Sequence, residues 1–239
     1  MITNSKIKLI KSLSHKKNRI KHNLFIVEGE RMVDELLKSK FEIVELYATN
    51  DWRGSFKGNV VVNTISQNQL KRISQLVNPN KVLAIVKKKK FFLNKDSRIN
   101  IVIDDLINPG NLGTIIRLCD WFGVCNIICS ENTVDVYNSK VVQSSMGSLF
   151  RVSVIYTNIL TYLKEIKGPI YAACLEGEDI RSIHINQQTH IVVGSENTGV
   201  SDDILKLVNR RITIKGTNQE INSINAAIAT GIILYQMNN

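Results

Sequence analysis

Aromatic residues make up only 6% of the 239-residue chain, too few for a broad platform on which successive bases could stack. Cysteine is scarcer still. Cys119, Cys125, Cys129 and Cys174 form no CxxC pair and have no histidine beside them. That spacing excludes a zinc site, and no metal is expected. Apolar surroundings suit free thiols that behave as small hydrophobes, so a reducing, cytoplasmic setting is expected. His15, His22, His184 and His190 make no pair at metal-ligand spacing. The opening Met-Ile-Thr-Asn-Ser-Lys has no apolar signal core, and no apolar run reaches membrane-spanning length. There is no GxGxxG and no phosphate loop ending in Gly-Lys-Ser/Thr, which disfavours a dinucleotide fold and an NTPase. No internal repeat is visible.

What is present is positive charge. Lys+Arg number 31 against 21 Asp+Glu, a net charge of +10, which favours polyanionic partners. A compositional bias that raises Lys, Ile and Asn together would give the same excess. The positive residues cluster at the start, where Lys6, Lys8, Lys11, Lys16, Lys17, Arg19 and Lys21 surround a weak helical stripe of Leu9, Ile10 and Leu13. The stretch reads either as a phosphate-contacting helix or as a solvated terminal one.

Apolar runs and turn residues then alternate as strand and helix. Strands are expected at 24–27, 43–48, 60–62 and 82–86. Helices are expected after Glu28-Gly29-Glu30, with Met32, Val33, Leu36 and Leu37 on one face, and at 69–76. A turn-rich loop covers 51–59. This is a small α/β domain, placed at 1–92. The lysine run from Lys87 to Lys90 marks a linker, with Phe91 and Phe92 open to either linker packing or RNA contact. A second alternation fills 98–239, with strands at 99–103, 125–129, 152–155, 170–174, 191–193 and ending at 212–214. Helices are expected at 111–122, 139–145, 158–166 and 201–208. Its strands are apolar throughout rather than alternating, as in a parallel sheet covered on both faces. The last helix, after Asn225, is apolar all round and so reads as buried, with Asn222 or Ser223 as its N-cap.

Three loops follow strands of this second alternation, where open α/β sheets bind ligands. They are Asn108–Thr114 with Arg117 one turn into the helix, Gly194–Gly199, and Lys215–Asn225. Each alone also reads as an ordinary glycine turn. Together, their order and spacing resemble the signature motifs of the SpoU (TrmH-type) branch of the SPOUT RNA methyltransferases. The first motif is Asp104–Arg117 (DDLINPGNLGTIIR), the second Ile191–Ser201 (IVVGSENTGVS) and the third Ile212–Leu234 (ITIKGTNQEINSINAAIATGIIL). Ser144–Arg151 (SSMGSLFR) is similar to a further family segment, and Leu24–Glu30 (LFIVEGE) to the substrate-binding domain of many members. The resemblance covers nearly the whole chain. It departs from the family at Ser195, where Asn is common, at Asn197, where Gly is usual, and at Ile224, where Leu is usual. Asn tolerates the left-handed backbone that a glycine at 197 would supply.

The resemblance implies an α/β fold whose parallel-sheet domain carries a C-terminal trefoil knot, preceded by a small RNA-binding α/β domain. It implies S-adenosylmethionine as cofactor, a homodimer joined through the C-terminal domain, and methyl transfer to a ribose 2′-hydroxyl in tRNA or rRNA. A base methyltransferase with the same knot and a silent RNA-binding or ribosome-assembly factor are the alternatives. By the motif matches, Arg117, Asn111, Glu196, Ser223 and Asn225 are the expected catalytic residues. The expected cofactor contacts are Leu175, Glu176, Gly177, Val193, Gly194, Ser195, Gly199, Ile214 and Gly216, again with Ser223 and Asn225. Lys16, Lys17, Arg19, Lys21 and Arg151 are the expected RNA contacts.

Overall fold

β-Branched runs set the strands, and glycine, asparagine and serine punctuate them into a regular order of elements. The computed structural model describes residues 2–54, 60–217 and 223–238. Most of the loop expected at 51–59 therefore lies outside the described residues. The chain opens with α1 (Asn4–Ser12) and α2 (Lys16–His22). Thr3 caps α1 by accepting from Lys6 N at 3.3 Å, and Ile7, Ile10 and Leu13 turn inward. β1 (Leu24–Glu28), α3 (Glu30–Leu37), β2 (Ile43–Ala48), β3 (Val62–Thr64), α4 (Gln67–Ile73) and β4 (Val82–Lys87) follow. α4 begins two residues earlier than its apolar pattern suggests, because Ser66 and Gln69 form a reciprocal capping box.

The remaining elements are β5 (Ile99–Ile103), α5 (Pro109–Trp121), β6 (Asn126–Cys129), α6 (Ser139–Ser145), β7 (Ser153–Tyr156), α7 (Ile159–Lys164), β8 (Ile170–Asp179), β9 (Thr189–Val193), α8 (Asp202–Leu205), β10 (Arg210–Thr213) and α9 (Ala226–Asn238). Single 3-10 turns stand at Ser148–Phe150 and Ile180–Ser182. No helix among the described residues is long and apolar enough to cross a membrane.

Packing divides the chain into two units. The first comprises Met1–Lys90 together with Asp135–Phe150, the second Phe91–Val134 together with Arg151–Asn239. Chain order places 135–150 with the second sheet, yet these residues find their partners in the first unit. The Arg19 guanidinium pairs with Asp135 at 2.7 Å, with side chains 3% and 11% exposed, and donates to the carbonyls of Leu13 and Ser14 at 2.9 and 2.7 Å. The Tyr137 ring lies 4.5 Å from that of Phe25, and Phe150 meets Phe41 edge-on at 5.2 Å. Gln143 donates to the Glu28 carbonyl at 2.9 Å. The sheet of this unit is mixed, in the order β1-β4-β2-β3, with β4 antiparallel to both neighbours and β2 parallel to β3.

The second unit holds a six-stranded sheet in the order β10-β8-β9-β5-β6-β7, and every neighbouring pair is parallel. Strands β5, β6 and β9 are buried along their whole length, as continuous apolar runs require. Val102, Ile128, Ala172 and Val192 form one core with Ile159 and Leu163 of α7 and Ile204 of α8. α9 is not buried all round. Ile228 is 58%, Ile232 39% and Tyr235 63% exposed, one stripe at helical spacing, while Ala227, Thr230, Ile233, Leu234 and Met237 face inward.

His190 is buried in β9, with Nε2 hydrogen-bonded to the Tyr162 hydroxyl at 2.9 Å and Nδ1 without a partner among the described residues. Burial pushes its pKa down from 6.5 to about 4. The folded chain thus resists a proton that the unfolded chain accepts below 6.5. This contribution is fully present above pH 6.5 and is lost as pH falls toward 4. The shift corresponds to about 3 kcal/mol. Urea titrations of native protein and of His190→Gln should show a steeper loss of stability between pH 6.5 and 4 in the native protein. Parallel curves would refute this reading of the buried ring.

Candidate active site

β8 lies between β10 and β9, so the carboxyl ends of all three strands are neighbours. The β8–β10 ladder pairs Arg211 with Ala172 and then jumps to Ile212 with Glu178. The intervening residues of β8, Leu175 to Gly177 among them, therefore stand clear of the ladder, and Leu175 is 70% exposed. Thr213 Oγ1 donates to the Leu175 carbonyl at 2.8 Å and holds this excursion in place. Gly177 backs onto β10 so closely that a Cβ would come within 2.5 Å of the Arg211 carbonyl oxygen.

The second loop closes on itself. Ser195 and Gly199 exchange backbone hydrogen bonds at 3.2 and 2.9 Å, and Gly199 takes the left-handed φ of 68° that permits the reversal. A Cβ on Gly194 would sit 2.1 Å from the Gly199 carbonyl carbon, so backbone meets backbone here. Asn197 needs no left-handed conformation, because positive φ in this turn falls on Gly199 alone. The loop is tied to the first by Asp104, which donates its N–H to the Val193 carbonyl at 2.9 Å and accepts from Ser201 N at 2.8 Å.

Asn108 opens α5 by accepting from Gly110 N and Asn111 N at 2.9 and 3.2 Å, with Pro109 pre-set in the first turn. This cap aims Asn111 across to the other two loops. Asn111 Nδ2 donates to the Glu196 carboxylate of the second loop. Asn225 Nδ2 of the third donates to Asn111 Oδ1 at 2.9 Å. The orientation of Asn225 is set in turn by its role as helix cap, since its Oδ1 accepts from Ala227 N and Ile228 N at 2.9 and 3.3 Å. Asn225 thus does the capping that the sequence assigned to Asn222 or Ser223. Asn222 lies outside the described residues, and Ser223 is exposed two residues before the cap. Three of the expected catalytic residues are joined in one hydrogen-bonded chain.

Arg117 stands one and a half turns along α5 from Asn111, exposed on the stripe that also carries Thr114 and Trp121. Among the described residues it forms no hydrogen bond or ion pair. Of the expected cofactor contacts, Val193 and Gly194 are buried, Ser195 and Ile214 half-buried, and Glu176, Gly177, Gly199 and Gly216 exposed. A hollow of about 260 Å³ lies elsewhere, at the ends of β5, β6 and β7. Asp104, Asp105, Glu131 and Asp203 line it, which makes it a poor seat for a phosphate. No three acidic, histidine or cysteine groups among the described residues converge as a metal site would require.

Of the expected RNA contacts, Lys16, Lys17 and Lys21 are exposed on α2. Arg19 is not available, because burial and the bond to Asp135 commit its guanidinium inside the first unit. Arg151 is exposed, but its fork grips Asp120, with Nε and Nη2 each within 2.9 Å of Oδ2. Asp104, Asn108 and Thr213 do positioning work that no motif match singled out. Asn108 carried a local signal, an Asx residue before Pro at a helix start, whereas Thr213 had none.

The SpoU rRNA methylase family model matches residues 98–235, and the model of an MRM3-like substrate-binding domain matches residues 4–84. The chain is 28% identical to the 23S rRNA (guanosine(2553)-2'-O)-methyltransferase RlmP of Bacillus subtilis, across 98% of this chain and 96% of that one. A TrmH-family protein of known structure from Porphyromonas gingivalis superposes with a TM-score of 0.89 at 29% identity, covering 99% of this chain and 98% of its own. The AdoMet-bound rRNA methyltransferase from Sinorhizobium meliloti superposes with a TM-score of 0.86 at 26% identity, covering 99% and 95%.

Substitutions at two positions test the geometry. Gly194→Ala should cost roughly 2 kcal/mol or more in urea unfolding, because two backbones must part. Asn225→Ala should cost about 1 kcal/mol for the lost cap, and Asn225→Asp much less. A Gly194→Ala protein of native stability would mean that the second loop is not closed as described.

Proposed function

The chain belongs to the SpoU rRNA methylase family, and from that membership and the site geometry we propose that it transfers a methyl group from S-adenosylmethionine to a ribose 2′-hydroxyl of RNA. The observation that carries this reading is the hydrogen-bonded chain from Asn225 through Asn111 to Glu196, which ties the three loops together on the helix that bears Arg117. Ribosomal RNA is the substrate favoured by full-length likeness to the Bacillus subtilis enzyme, with transfer RNA as the alternative.

The residues present suit the cofactor. Its adenosine would rest on main-chain groups of Leu175–Gly177, Val193–Ser195 and Ile214–Gly216, with Glu176 at the rim, beside the apolar side chains of Leu175 and Ile224. Gly177 and Gly194 leave no room for a Cβ, so the backbone itself shapes the cradle. Bound there, the sulfonium supplies a methyl carbon that a nucleophile attacks in line. The C-terminal segment is proposed to thread the trefoil knot of the family, a rare exception to ordinary chain connections, supported by the strand order β10-β8-β9 and the backbone contacts at both glycines.

A ribose hydroxyl attacks poorly until its proton leaves. Arg117 would serve as a fixed positive charge beside that hydroxyl, whose proton would pass to water. Its guanidinium would hold the phosphate next to the target ribose and stabilise the oxygen as negative charge develops. Asn111, Glu196, Ser223 and Asn225 would fix the ribose and the third loop around it. The first unit would dock the RNA, with Lys16, Lys17 and Lys21 on phosphates, consistent with its match to a substrate-binding domain. The work is expected in the cytoplasm.

We propose a homodimer joined through the second unit, and the apolar surface of that unit supports it. Trp121 is 84% exposed on α5, and α9, which packs against α5, bears the stripe of Ile228, Ile232 and Tyr235. A second copy would cover this apolar area.

Arg117→Ala should lower kcat at least a hundredfold on total RNA while S-adenosylmethionine still raises the unfolding temperature as it does for native protein. Near-native turnover would remove Arg117 from the chemistry. A native protein that binds RNA but neither binds the cofactor nor methylates would be a silent factor instead. Trp121→Asp should sediment as a monomer, and an unchanged dimer would place the interface elsewhere.

A further inference from the structure

The loop between α4 and β4, from Ser74 to Lys81, is built more firmly than a connection requires. Glu28 is only 4% exposed at the end of β1, and its carboxylate is spent on this loop. It accepts from the Ser74 hydroxyl and from Gln75 N at 2.8 Å. Ser74 Oγ accepts in turn from Leu76 N at 3.0 Å. Burial pushes the Glu28 carboxyl upward, a cost that these two hydrogen bonds oppose. At the far end Lys81 adopts a left-handed φ of 52° inside a tight turn closed by Val82 N and the Asn80 carbonyl at 2.6 Å. Such a turn is strained for a residue with a side chain. The Lys81 carbonyl accepts from Thr49 N at 2.8 Å, and its ammonium pairs with Glu30 at 3.1 Å.

All this anchoring presents Val77 almost wholly to solvent, at 97% exposure, with Asn78 and Asn80 exposed beside it. A lone exposed valine is ordinary. One held at the tip of a loop clasped by a buried carboxylate and closed by a strained turn is not. Lys71 and Arg72, in the last turn of α4, are exposed as well, and Arg72 donates to Asn4 Oδ1 at 3.3 Å. Lys81 is neutralised by Glu30, and Lys71 and Arg72 are the two cations that this end of α4 offers to a polyanion.

We propose that this loop reads the RNA substrate: Val77 packs against an unpaired base, the Asn78 and Asn80 amides meet its edge, and Lys71 and Arg72 hold the flanking phosphates. The proposal rests on the RNA-methylating reading above and adds to it a specific site of recognition. Unpaired bases are accessible on both face and edge, and an apolar side chain can stack on the face while amides pair with the edge.

The test uses the full chain and protein-free ribosomal RNA. Filter-binding affinity is measured across salt concentrations, alongside the unfolding temperature and S-adenosylmethionine binding. Val77→Asp should weaken RNA binding at least tenfold without moving the other two measurements. Val61→Asp, the same charge change on another valine of the unit, 75% exposed, should change it less than twofold. Val77→Ile should bind as the native chain does. Val77→Ala should weaken binding while leaving the slope of log affinity against log salt unchanged, and Lys71→Ala should reduce that slope by about 1. Equal losses for Val77→Asp and Val61→Asp would overturn the proposal while leaving the enzymatic reading intact. A native chain that binds no RNA would overturn both.

Discussion

A chain of side-chain amides holds the second unit's chemistry together. The N–H groups at the start of α9 fix the Asn225 oxygen, its nitrogen then faces Asn111, and the nitrogen of Asn111 faces Glu196. Each amide has one donor end and one acceptor end, so the helix terminus dictates the polarity of the whole series. Three loops that follow different strands become one structure. Any displacement of α9 would reach Glu196 through two hydrogen bonds, and the first loop would move with it.

The sheet makes such a chain possible. β8 between β10 and β9 sets three carboxyl ends side by side, and Gly177 and Gly194 let backbones touch where side chains would hold them apart. The result is a place where main-chain groups reach the surface, with the side chains of Glu176, Glu196 and Lys215 exposed around them. Main-chain groups suit a ligand recognised by shape and hydrogen bonds, and in the proposed reaction Arg117 on the adjoining helix would supply the positive charge. The first unit is of a different kind. Its buried polar groups, the Glu28 carboxyl and the Arg19 guanidinium held by Asp135, serve architecture, and its exposed lysines face solvent. A buried ion pair contributes little net stability, but either member left alone would be costly, so the pair specifies where residues 135–150 must lie.

Family membership and site geometry support each other from different directions. The family match covers the second sheet and its loops and says nothing about which atoms meet. The hydrogen bonds among Asn111, Glu196 and Asn225 show how those loops assemble without naming a reaction. An RNA ribose methyltransferase satisfies both, with α2 and the α4–β4 loop proposed as two separate places for the nucleic acid on the first unit.

The alternation of strands and helices, the parallel character of the second sheet and the three loops were all legible in the sequence. Continuous apolar runs and glycine-bearing turns are local patterns, and local patterns survive without knowledge of distant partners. The boundary of α4 and the cap of α9 moved by two or three residues, because side-chain caps rather than apolar spacing decide where helices begin. Other features were decided only by tertiary contact. Arg19 looked like its basic neighbours until Asp135, 116 positions away, enclosed it. Residues 135–150 packed with the first unit because Phe25, Phe41 and Glu28 offered rings and a carbonyl there. α9 kept an apolar face in solvent although its composition announced burial. Composition records which groups dislike water, while the folded chain determines which of them find cover.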